Sequence, residues 1–109
     1  MAEPRMTRTT QAVLKVLLAD PHAEVYGLEI GTSTRLPSGT IHPILARLEN
    51  LGWVRSDWED IDPKVEGRPR RRYYRISDEG LAAARQALAE AHATRTRLST
   101  KWASAGETA

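Results

Sequence analysis

Ser38-Gly39-Thr40-Ile41-His42-Pro43-Ile44-Leu45-Ala46-Arg47-Leu48-Glu49-Asn50-Leu51-Gly52 is the stretch whose reading decides the fold. Ile41, Ile44, Leu45, Leu48 and Leu51 recur at helical spacing and form one apolar stripe. The spacing predicts a helix that begins at Ser38 or Thr40 and ends at Gly52, a residue suited to the left-handed turn past a helix C-terminus. Pro43 then belongs to the first turn or just past it, where a missing N–H costs least. At 100° per residue the opposite side carries Gly39, His42, Pro43, Ala46 and Asn50, with Arg47 at its edge. Most of these side chains are small. A helix that is greasy on one side and slim on the other has one face for a core and one for a close-fitting partner.

The neighbouring segments extend the pattern. Upstream, Val13, Leu14, Leu17 and Leu18 give the apolar face of a helix that starts near Thr9 or Thr10 and stops at Asp20-Pro21. A short helix is expected from Tyr26 to Thr34, with Leu28 and Ile30 toward the core; Gly27 and Gly31 make it dependent on its neighbours. Arg35-Leu36-Pro37 is the turn into the decisive helix. Downstream, residues 53–59 alternate as a strand does, and residues 71–76 form a second strand with Tyr74 and Ile76 on one face. Tyr73 then points the other way. Trp53 and Trp58 suit core or hairpin packing. The connection from Ile61 to Arg70, with Asp62-Pro63 and Gly67-Arg68-Pro69, is too long for a tight turn.

Ser77-Asp78-Glu79-Gly80 carries a capping serine and two acids suited to a helix start. The helix that follows is expected to reach about Trp102, on the order of 35–40 Å. Leu81, Ala84, Leu88, Ala91, Leu98 and Trp102 follow a heptad spacing that Arg95 interrupts once. Two arrangements satisfy such a seam: packing back on the chain's own first helix, or pairing with a second copy about a two-fold axis.

Helix, helix, turn, helix, strand, long loop, strand is the order of a winged helix-turn-helix. The expected architecture is mostly α with a small β-hairpin: a winged domain over residues 1–77 with a loose tail at 1–6, a long C-terminal dimerisation helix over 78–103, and a frayed tail at 104–109.

Composition narrows the function. The chain has 109 residues, enough for one modest core, with 40 % hydrophobic and 28 % charged residues and a net charge of +2. Cysteine is absent, which excludes disulfides and thiolate metal sites. The apolar run from Ala12 to Ala19 is too short to span a membrane and Lys15 interrupts it, so a cytoplasmic protein is expected. The only histidines, His22, His42 and His92, fall in separate elements. No phosphate loop, nucleophile–base pair or metal-ligand spacing accompanies them, so no catalytic residue, metal or cofactor is assigned.

Charge is distributed unevenly. Arg68, Arg70, Arg71, Arg72 and Arg75 crowd the second strand and its approach, opposite the acidic Asp57, Glu59, Asp60 and Asp62. The arginines suit phosphates or a narrow minor groove, and the acids suit charge balance. The slim side of the decisive helix suits a major groove about 12 Å wide. Its start at Ser38, Thr40 and His42 offers donors as well as caps. Double-stranded DNA is the expected partner; the alternative is a winged-helix docking module for an acidic protein.

Several segments together resemble the PadR family of bacterial transcriptional regulators: Tyr26-Gly27-Leu28-Glu29-Ile30; Pro37 through Glu49; Gly52-Trp53-Val54; and Gly67-Arg68-Pro69-Arg70-Arg71-Arg72-Tyr73-Tyr74-Arg75-Ile76-Ser77-Asp78-Glu79-Gly80. The likeness runs over roughly residues 10–100 and favours the form with a single C-terminal helix. It implies a homodimeric repressor on a pseudo-palindromic operator. Ser38, Thr40, His42 and Pro43 would face DNA, as would Arg68 and Arg70 to Arg72 in the wing, with Arg47 alongside. In some members a small aromatic effector binds at the dimer interface and relieves repression. His42 stands where many members have tyrosine, and Ala91 where drug-binding members carry a stacking tryptophan.

Overall fold

A computed structural model describes residues 4–107, with side chains described as far as Lys101. Five helices and three strands follow in the order α1 (Arg8–Ala19), β1 (Val25–Tyr26), α2 (Gly27–Thr34), α3 (Ser38–Asn50), β2 (Val54–Trp58), α4 (Pro63–Glu66), β3 (Arg72–Ile76) and α5 (Asp78–Glu107). The result is mostly helical, with one small antiparallel sheet, as the order of elements suggested.

α1 starts one residue before the expected cap. Thr7 is the N-cap, and its Oγ1 accepts from the Thr10 N–H at 3.1 Å. Residues just ahead are tied down too. Gln11 Nε2 donates to the Met6 carbonyl at 2.7 Å, and Met6 packs against the core. The expected loose tail therefore does not extend to Met6; Met1 to Glu3 lie outside the described residues.

The sheet has three strands, not two. Tyr26, the expected start of the second helix, belongs instead with Val25 to a short strand: Val25 and Tyr26 pair with Tyr74 and Tyr73 of β3. The order is β1-β3-β2, which puts β3 in the middle. β2 pairs with β3 from Val54↔Ile76 to Trp58↔Arg72. Alternation along β3 buries Tyr74 and Ile76 on one face and turns Tyr73 and Arg75 to the other; Arg72 shares the Tyr74 face but stands at the strand's outer end and is exposed.

α3 packs its stripe inward. Ile41, Ile44, Leu45 and Leu48 are buried, joined by Val13, Leu14 and Leu17 of α1, Ile30 of α2, Val54 of β2 and Ala84 of α5. Each large apolar side chain in this set contributes about 1.5–3 kcal/mol by leaving water. Leu28, expected in the core, is instead 78 % exposed. The strand at Val25–Tyr26 shifts the helix start to Gly27, and Ile30 alone fills the inward position. Gly52 ends α3 at φ +80°, with Trp53 N–H on the Leu48 carbonyl at 2.9 Å and Gly52 N–H on the Glu49 carbonyl at 3.0 Å. This double bond pattern closes the helix as expected.

α5 is longer than the sequence suggested. Its 30 residues run to Glu107, into the segment expected to fray, whose last two residues lie outside the described ones, and span about 45 Å at 1.5 Å per residue. The molecule measures 68 × 28 × 21 Å, because the distal half of α5 projects beyond the domain.

Candidate nucleic-acid interface

The surface of α3 opposite the core is open. Ser38, Gly39, His42, Pro43, Ala46, Arg47 and Asn50 are all exposed, and Thr40 is half-buried. A Cβ placed on Gly39 would meet nothing within 4 Å. Pro43 sits just past the first turn, where it removes the hydrogen bond to the Gly39 carbonyl. That loss falls on the exposed side, where water or a partner can satisfy the carbonyl.

The α2–α3 turn sets the angle of this helix. Arg35 caps α2 in the left-handed region at φ 60°, and its N–H reaches the Gly31 carbonyl at 2.8 Å. Thr34 Oγ1 then accepts from the Leu36 N–H at 3.2 Å. Pro37 precedes α3 with an extended backbone. Three residues thus reverse the chain and aim the N-terminus of α3 outward.

The hairpin between β2 and β3 is folded in detail. The segment expected to be open loop contains α4, capped by Asp62 Oδ1 on the Lys64 N–H at 3.0 Å and closed by Gly67 at φ +70°. Its arginines divide into two groups. Arg68, expected to face DNA, is committed within the wing: its Nη1 and Nη2 donate to Glu59 Oε1 and Oε2 at 2.7 and 3.0 Å. The same carboxylate accepts the Arg71 N–H at 2.7 Å. The Arg68 bonds and the Arg71 N–H hold Glu59 well below the ordinary carboxylate value, at about 2. Arg70 Nε donates to the Ile61 carbonyl at 2.9 Å.

Arg72 lies over the exposed Trp58 ring, 5.6 Å from its centroid, and donates to Ser56 Oγ at 2.6 Å and, at 3.4 Å, to Glu49 Oε1. Ser56 Oγ in turn donates to Glu49 at the end of α3. Among the described residues the Arg71 guanidinium has no hydrogen-bonded partner, and the side chain is exposed. Trp58 thus packs within the hairpin, under its cross-strand partner Arg72, and Trp53 packs against the core.

A groove of about 620 Å³ separates the start of α2 and α3 from the wing. Tyr26, Leu28, Ser38 and His42 line one side, and Arg71 and Arg72 the other. Tyr26 also meets Tyr73 edge-on at 6.4 Å. Desolvation, then the nearby Glu59 and Glu24 charges, raises the Tyr26 pKa, so its Oη stays a donor.

The expected seam on α5 is split. Ala84 is fully buried within the chain's own core, and Leu81 and Leu88 pack against that core. Ala91 is half-buried, and Arg95 turns back to Gln11 of α1. Ala84 has no surface left for a partner, whereas Leu81, Leu88 and Ala91 each keep part of theirs exposed. Leu98 is 53 % exposed; the Trp102 side chain lies outside the described residues.

The model of the transcriptional regulator PadR-like family matches residues 13–86, from α1 to the first turns of α5. The chain belongs to the PadR-like family. A PadR family transcriptional regulator from Eggerthella lenta DSM 2243 is similar in structure, with TM-score 0.67, 26 % identity, and coverage of 85 % of this chain and 81 % of that one. A PadR family regulator from Clostridium difficile R20291 superimposes with TM-score 0.65 at 22 % identity, over 84 % of this chain and 95 % of that one. The Staphylococcus aureus regulator MepR in its DNA-binding conformation shares the fold, with TM-score 0.64 at 13 % identity, over 89 % of this chain and 66 % of MepR. No curated protein matches the sequence. PadR-like proteins are DNA-binding transcriptional regulators, and this PadR-like chain is one of them. Among the described residues no helix is long and apolar enough to cross a membrane.

Proposed function

We propose that this PadR-like protein is a homodimeric repressor that inserts α3 into the major groove of a pseudo-palindromic operator. The observation that carries this reading is the open face of α3. Gly39, Pro43 and Ala46 keep the helix slim, Ser38, Thr40 and His42 stand at its free N-terminus, and Arg71 flanks it across the groove. A slim face lets the helix approach base edges, and the N-terminus favours phosphate. Arg70, Arg71 and Arg72 supply the sequence-independent part of the affinity. Arg47, in the last turn, adds a cation on the same side.

A second copy would pair along the exposed distal part of α5, around Leu98. Two copies hold two α3 helices at a fixed separation, which suits half-sites about 10–10.5 bp apart or a multiple of that.

The test is a selection of genomic fragments with purified protein, followed by titration of the recovered duplex at several salt concentrations. The expected result is a two-fold symmetric motif whose binding weakens steeply with salt. Recovery of no preferred sequence, or affinity indifferent to salt, removes the reading. Replacing Thr40 or His42 by Ala should alter sequence preference, whereas replacing Arg71 by Ala should weaken all duplexes alike.

A further inference from the structure

We propose that Glu59 is the positioning residue of the wing, and that Arg68 serves DNA binding through Glu59 instead of through a phosphate. The inference rests on the DNA-binding reading above and deepens it. Glu59 lies just past β2, on the strand side of the hairpin. Its Oε1 takes Arg68 Nη1 at 2.7 Å and the Arg71 N–H at 2.7 Å. Its Oε2 takes Arg68 Nη2 at 3.0 Å and Tyr26 Oη at 3.4 Å. The Glu59 N–H adds a ladder bond to the Arg71 carbonyl at 2.9 Å.

One carboxylate therefore joins three parts of the molecule: β1 at the root of α2, the far end of the loop at Arg68, and the start of β3 at Arg71. The Glu59 side chain is only 10 % exposed, against 32 % for Arg68. A two-pronged guanidinium–carboxylate pair fixes orientation as well as distance.

The consequence lies in the groove. Tyr26 stands on its helix side and Arg71 on its wing side, and Glu59 is bonded to both. It thereby sets the distance between the N-terminus of α3 and the free guanidinium of Arg71. A duplex must meet both at once, so a wing that swings away binds only during the fraction of time it is correctly placed.

Local charge alone predicts the opposite sign. Removing an anion beside a DNA-facing surface strengthens attraction to phosphate. Glu59→Gln is therefore decisive. The expected result is duplex affinity about tenfold weaker than wild type, while Asp60→Asn, which removes a neighbouring exposed charge of the same sign, binds as well as wild type or better. Arg68→Ala should weaken binding similarly yet leave the salt dependence unchanged. Arg71→Ala should flatten the log–log salt slope by about one. The Glu59→Gln/Arg68→Ala pair should cost no more than either change alone.

A second readout needs no DNA. Trypsin should cut after Arg70, Arg71 or Arg72 several times faster in Glu59→Gln than in wild type, because cleavage follows local opening. Equal cleavage, or Glu59→Gln binding DNA at least as tightly as wild type, overturns the assignment; so does Arg68→Ala lowering the slope as Arg71→Ala does. Faster cleavage in a protein that binds no duplex would retain Glu59 as the wing's anchor and sink the DNA-binding reading instead.

Discussion

Gly80 lies directly against the backbone of Trp53: a Cβ there would sit 2.6 Å from Trp53 Cα, and closer still to its carbonyl oxygen. Ser77 ties the same junction, its N–H on the Trp53 carbonyl at 2.8 Å, and its Oγ donating to the Gly52 carbonyl at 2.6 Å while accepting the Gly80 N–H at 2.9 Å. Backbone cannot yield as a flexible side chain does. Gly80→Ala is expected to lose about 2–3 kcal/mol of stability, as overpacking a tight site does. Denaturant unfolding checks this; a loss under about 0.5 kcal/mol would mean that the two segments separate freely.

Gly39 is the contrasting case. Nothing stands within 4 Å of its absent Cβ, and it lies inside α3. Gly39→Ala is expected to hold or gain about 0.5 kcal/mol of stability, by restricting the unfolded chain and improving helix propensity. On the proposed docking of α3, duplex affinity should nevertheless fall, because the added methyl thickens the face that would approach the DNA. Thermal melting and a binding titration of one preparation separate the two effects.

Glu59 predicts a pH signature. Its folded value of about 2 lies below the ordinary 4.5. A depressed carboxylate stabilises above its unfolded value and loses that contribution as pH falls through the folded one. Wild type should therefore be more stable than Glu59→Gln at neutral pH, with the gap constant down to about 4.5 and closing toward about 2. Parallel stability–pH curves for the two proteins would show that the carboxylate is not held as described.

Leu98 tests the pairing. It is 53 % exposed on the projecting part of α5, so Leu98→Glu should leave the fold of one protomer within about 0.5 kcal/mol of wild type. Sedimentation should show a shift toward monomer, and affinity for a two-half-site duplex should fall by at least tenfold as the second contact ceases to be intramolecular. An unchanged sedimentation profile would remove Leu98 from the proposed pairing.

Much of this molecule could be read from its residues. The stripe of α3 and its slim reverse side were legible because a period of 3.6 over thirteen residues leaves little choice of face. Gly52 and Ser77 announced their roles through backbone chemistry. Other features depend on what lies opposite. Val25 and Tyr26 are too few to show alternation, so β1 was invisible until β3 stood beside it. Leu28 has helical spacing with Ile30's neighbours but faces the groove.

The α5 seam illustrates a sharper limit. Heptad spacing reads the same whether the cover is α1 or another chain, and Ala84 took the former. The acids opposite the arginines were visible as charge balance, but only the fold of the loop around α4 selects Glu59 from among them. The pairing of Arg68 is hidden for the same reason: composition records the guanidinium, not the carboxylate it is bonded to.

The junction at Ser77 has a mechanical consequence. The helix that reaches out from the domain follows β3 after the single residue Ser77, which is hydrogen-bonded to Trp53 between α3 and β2, so no slack segment precedes it. In a pair joined through that arm, of about 45 Å, a tilt of about 5° at the far end displaces the domain by about 4 Å, a little more than the 3.4 Å step between bases along one DNA strand. In such a pair the arm would be a lever, and small changes at the contact between copies would be magnified into a mismatch of register on the duplex.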